Sequence, residues 1–138
     1  QSMMNEGYRN SSIYGMLGYF KLLRNDDLDE TTKLCEEAYD YNSDDRDIKD
    51  NLSICYFRKG EYEKAEKISD ELVGSAPNFV EGFYHGIQIA MKLNKYDKAA
   101  EYAEKLKECK RSGMTTVTEE EVNKLIQEVK NHNENTIG

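Results

Sequence analysis

An internal period of 34 residues constrains this chain more than any other feature. Segments aligned from Ser12, Arg46 and Val80 keep the same residue classes at the same places. A unit repeated at this spacing cannot bury its apolar face alone and must stack on its neighbours. A period near 34 is that of paired helices. The seventh column holds Gly18, Leu52 and Gly86, and the eleventh Leu22, Tyr56 and Ala90. The seventeenth holds Leu28, Tyr62 and Tyr96, the twentieth Thr31, Ala65 and Ala99, the twenty-seventh Ala38, Leu72 and Leu106. Small residues recur where two helices approach closely, large ones where a neighbouring hairpin leaves space.

The turn column holds Asp26, Gly60 and Asn94, three residue types that tolerate the left-handed conformation ending a helix. Just before it stand the cations Arg24, Arg58 and Lys92, and just after it the acids Asp29, Glu63 and Asp97. Cations at helix C-termini and acids at N-termini complement the helix dipole. The pattern predicts helices at 11–24, 28–41, 46–58, 62–74, 79–92 and 96–111, closed by Gly113. A seventh is predicted at 119–131. There Thr118 and Glu121 have capping-box spacing, and Val122, Leu125, Ile126 and Val129 form one apolar stripe.

The run Phe57-Arg58-Lys59-Gly60-Glu61-Tyr62-Glu63-Lys64-Ala65 resembles the turn and second-helix start of a tetratricopeptide repeat. Pro77 stands at that family's repeat-end proline, and Asn94-Lys95-Tyr96-Asp97-Lys98-Ala99 restates the theme. The first repeat departs from the family, with Gly15 in a large-apolar position, Thr31 for alanine and Ser43 for proline. The resemblance implies an all-α, right-handed superhelix of three helical hairpins plus a capping helix. Residues 1–11 read as a tag remnant (Gln1-Ser2-Met3) and lead-in. The repeats then occupy 12–45, 46–79 and 80–113, the cap 114–131, and a disordered tail 132–138.

The charge balance of 27 acidic against 19 basic residues, net −8, opposes nucleic acid as a partner. No apolar run approaches the ~18 residues that span a bilayer. Cys35, Cys55 and Cys109 are odd in number, far apart and without a CxxC, which points to a reducing compartment, the cytoplasm. Cys35 and Cys55 sit at helical positions suited to apolar filler, and Cys109, more exposed, has only Lys107 and Lys110 as weak signs of activation. The sequons at Asn10 and Asn51 carry little weight without a secretory context. His85 and His132 lack ligand spacing, and Glu119, Glu120 and Glu121 begin a helix, where they stabilise its dipole. Neither a metal, a cofactor nor catalysis is expected.

In the family the first helix of each pair lines a concave groove. By that resemblance the groove here holds Met16, Phe20 and Arg24, then Asn51, Ile54, Phe57 and Arg58, then Tyr84, His85, Gln88, Met91 and Lys92. Apolar side chains rimmed by charge suit a partner's peptide or amphipathic helix. The same side chains could instead pack between hairpins or against further repeats. The cations could hold carboxylates or merely complement dipoles. Family members that clamp a chaperone's C-terminal carboxylate use Lys, Asn, Asn, Lys and Arg. Those places hold Met16, Phe20, Asn51, Glu81 and His85, and only Asn51 agrees. The expected function is a protein-interaction adaptor. A slice of a longer solenoid, a self-association domain, or a regulatory domain of a larger enzyme are the alternatives.

Overall fold

A computed structural model describes residues 27–109 and 117–137. Those residues form six α-helices and, among themselves, no strand. The helices are α1 (Leu28–Tyr41), α2 (Arg46–Arg58), α3 (Tyr62–Ser75), α4 (Val80–Lys92), α5 (Tyr96–Glu108) and α6 (Glu119–Ile137). The helix expected at 11–24 and the closing Gly113 lie outside the described residues. The chain forms two compact units that divide between Ile68 and Ser69.

In the first unit, local chemistry starts both helices. Asp27 Oδ1 accepts from the amides of Asp29 and Glu30 at 2.9 and 3.2 Å, and Asp45 Oδ1 from those of Asp47 and Ile48 at 2.9 and 3.1 Å. These satisfy amides that the first helical turn leaves unpaired. The turn after α2 closes through Gly60, at φ 80°. Around it, Gly60 N donates to Phe57 O and Glu61 N to Tyr56 O, the paired bonds of a Schellman cap. Between α1 and α2 the core is Leu34, Ala38 and Ile48, and beside it Cys35, Leu52, Cys55 and Ile68.

In the second unit the same cap recurs at Asn94, φ 60°, where Asn94 N donates to Met91 O and Lys95 N to Ala90 O. Gly60 and Asn94 thus adopt the left-handed backbone for which the turn column was singled out, while its first member, Asp26, lies outside the described residues. The core draws Val80, Phe83, Ile87 and Ala90 from α4 and Ala99, Tyr102, Ala103 and Leu106 from α5. Val122, Leu125 and Val129 of α6 close it, with Ile126 packed at the margin. The capping box also forms, Glu121 N donating to Thr118 Oγ1 at 3.1 Å and Thr118 N to Glu121 Oε1 at 3.0 Å.

Two boundaries differ from the sequence reading by more than one residue. Helix α5 ends at Glu108, not 111, with Cys109 in extended backbone. Helix α6 runs on to Ile137, so residues 132–137 are helical rather than a disordered tail. Its asparagines are poor helix formers, but the His132 ring stacks on Tyr96 of α5, centroids 3.6 Å apart. One turn earlier, Gln127 Nε2 donates to Asn131 Oδ1 at 2.8 Å. Tertiary and side-chain contacts override weak propensity here.

Candidate functional site

The residues singled out for a groove fall on α2 in the first unit and α4 in the second; Met16, Phe20 and Arg24 lie outside the described residues. On α2, Asn51 is interior, only 4% exposed. Ile54 is half-buried against the Cys35–Leu52–Cys55–Ile68 cluster. Phe57 is half-buried and meets the Tyr62 ring edge-on, centroids 5.5 Å apart. Arg58 is exposed in the last turn.

On α4, Phe83, Gly86, Ile87, Ile89 and Ala90 are buried, whereas Tyr84, His85, Gln88, Met91 and Lys92 keep contact with solvent. These five form one continuous strip, because residues three and four apart are neighbours on a helix surface. Tyr84 and Met91 lean on the core from its edge, and the rings of Tyr84 and His85 meet edge-on at 5.6 Å. Burial, with the charges of Glu121 and Glu128 on α6, raises the Tyr84 phenol above its ordinary pKa, so it stays a neutral donor.

Each unit also carries an open cleft, one of about 470 Å³ lined by Glu36, Tyr39, Leu52, Tyr56, Lys64 and Ile68, among others. The other, about 630 Å³, includes Asp70, Val73, Phe83, Lys98 and Tyr102. Glu36 and Asp70, Tyr39 and Val73, Lys64 and Lys98, Ile68 and Tyr102 are repeat equivalents, 34 residues apart. In the first cleft Tyr56 Oη donates to Glu36 Oε2 at 2.7 Å. In the second, Asp70 accepts from Tyr102 Oη at 3.0 Å and holds Lys98 Nζ at 2.7 Å. Burial and the Glu36 carboxylate push the Tyr56 phenol far above its usual range. In each cleft a tyrosine hydroxyl is thus braced by an acidic side chain. The acids that recur at Glu36, Asp70 and Glu104 were the sequence signal for this bracing, and it went unread. Among the described residues no group of three or more His, Cys, Asp or Glu could hold a metal, and no helix is long and apolar enough to cross a membrane.

Paired helices with 34-residue spacing, closed by Schellman turns at Gly60 in one unit and Asn94 in the other, define a helical repeat. The family model described as tetratricopeptide repeat matches residues 22–82. That match covers less than half of the chain, and the fold of the described residues is of the tetratricopeptide type. Among solved structures it resembles the tetratricopeptide domain of Sgt2 from Aspergillus fumigatus, at 17% identity over 91% of this chain and 80% of that one, TM-score 0.77. It is similar also to the first tetratricopeptide domain of Spaghetti (RPAP3), solved bound to the HSP90 peptide SRMEEVD, at 14% identity over 88% and 91% of the two chains, TM-score 0.74. A third is YrrB, described as having an unusual peptide-binding site, at 14% identity over 93% of this chain and 62% of that one, TM-score 0.73. No curated protein sequence matches the chain.

Proposed function

We propose that the chain is a protein-interaction module that binds a peptide or helical segment of a partner on its repeat helices, and that it is not itself an enzyme. The observation that carries this reading is the α4 strip. That helix is buried over most of its circumference, and the side left open presents Tyr84, Met91, His85, Gln88 and Lys92 together. Aromatic and methionine side chains beside a cation form a surface suited to an apolar anchor with an acidic flank. In its own unit α2 offers a smaller counterpart of Ile54, Phe57 and Arg58. Structural relatives that bind peptides support the class of function.

The partner differs in kind from the acidic chaperone tail held by the Spaghetti domain. Asn51 and Glu81 are 4% and 7% exposed, so the one clamp residue that agrees lies inside, and a carboxylate stands where the clamp places a lysine. A buried carboxylate would repel a terminal carboxylate rather than hold it.

Affinity purification with the intact chain and an Arg58→Glu, Lys92→Glu variant tests the reading. Both residues are exposed, so the variant keeps the fold. A protein retained by the first and lost by the second supports binding at these strips; identical capture by both contradicts it.

A further inference from the structure

Cys35 and Cys55 are 20 residues apart in sequence and on different helices, yet the fold brings their sulfurs to 3.7 Å, within reach of a thiol hydrogen bond. Both are free thiols and both are buried, at 3% and 0% exposure, among Leu52, Ile68 and the margins of Tyr39, Ile54 and Tyr56. Spacing alone concealed this pair.

We propose that Cys35 and Cys55 form an oxidant-responsive modification site, closing to a disulfide that staples α1 to α2 when the chain meets a hydroperoxide. A disulfide needs its sulfurs at about 2.05 Å, so the remaining approach is about 1.7 Å. The two thiols also differ in readiness to ionise. Contact with Cys35 lowers the Cys55 pKa, and Thr32 and the Arg58 charge add to this against burial and Glu36. The same contact, with burial, holds Cys35 in its protonated form. Cys55 is therefore the thiolate nucleophile and Cys35 the resolving thiol.

The chemistry balances in two steps. The Cys55 thiolate attacks one peroxide oxygen, forming an S–O bond as the O–O bond breaks and hydroxide (or alkoxide) leaves. This oxidises the sulfur to a sulfenic acid and reduces the peroxide. Cys35 Sγ then attacks that sulfur. The S–S bond forms, the S–O bond breaks, and the departing hydroxyl takes the Cys35 proton to leave as water. Because both residues are buried, the reaction requires local opening of the α1–α2 packing to admit a small hydroperoxide. Cys109 serves as an internal control. Its sulfur lies against the carbonyls of Lys105 and Pro77, and burial, with Glu108, raises its pKa.

The test treats the native chain with hydrogen peroxide, then denatures it, alkylates the free thiols and maps the peptides by mass spectrometry. The expected product is two hydrogens lighter and has a peptide joining Cys35 to Cys55, with Cys109 alkylated. It melts at a higher temperature, and dithiothreitol reverses both changes. A Cys109→Ser variant behaves in the same way. A Cys35→Ala variant, shown by circular dichroism to be folded, instead accumulates a Cys55 sulfenic acid that dimedone traps. Three alkylatable thiols after peroxide, or bridging only between molecules through Cys109, overturns the proposal.

Discussion

The ring of Tyr102 on α5 lies against the bare backbone of Gly86 on α4. A Cβ built on Gly86 would stand 3.1 Å from one ring carbon and 3.0 Å from Ser69 Oγ. Such contacts force neighbours to move, and Tyr102 is fixed by its hydrogen bond to Asp70. Gly86→Ala is expected to destabilise by about 1–3 kcal/mol through overpacking, less the fraction of a kcal/mol that alanine returns as a better helix former. A urea melt measures it.

Gly74 on α3 provides the contrast. A Cβ there meets nothing within 4 Å, and the position is exposed. Gly74→Ala is expected to stabilise by up to about 1 kcal/mol, because only the helix propensity changes. If the melts of Gly86→Ala and Gly74→Ala shift together, the packing argument fails.

The start of α6 depends on the Thr118–Glu121 box. Thr118→Ala removes the side-chain acceptor for Glu121 N and is expected to cost about 1 kcal/mol. Faster amide exchange at residues 119–122 is the corresponding local readout.

Alkali will weaken the fold. The phenols of Tyr56 and Tyr84 are both raised, chiefly by burial and then by nearby carboxylates, so the unfolded chain releases these protons before the folded one does. The stability they protect is complete below the ordinary tyrosine pKa of about 10 and is lost as pH rises through their folded values. Denaturant midpoints should fall above about pH 10, and Tyr56→Phe with Tyr84→Phe should flatten that fall. An unchanged slope in the double variant contradicts the assignment.

The fold was legible because a repeat protein states its rules several times. The pairing of columns seven and twenty-three shows how. Leu52 and Ile68 share a core in one unit, while Gly86 faces Tyr102 in the other, so medium-with-medium in the second repeat becomes small-with-large in the third. The candidate site was less legible. The family resemblance put Ile54, Phe57, Tyr84 and Met91 in an open groove, and the structure leaves each half-buried, Ile54, Tyr84 and Met91 against core clusters and Phe57 against the Tyr62 ring. Asn51 is interior altogether. A period reports which residues share a face, but not how far a neighbouring element covers it. The cysteine pair was illegible for a related reason: its partners occupy different columns of different repeats, so no alignment of repeats with one another sets them side by side.

Site-specific photo-cross-linking tests the central claim most directly. A photoreactive amino acid at Gln88, in the open strip of α4, is compared with one at Glu104, exposed on α5. Partner binding on the open strip of α4 predicts a discrete cross-linked protein from Gln88 that disappears with Lys92→Glu, and none from Glu104. The same protein captured from Glu104 and absent at Gln88 would contradict the account.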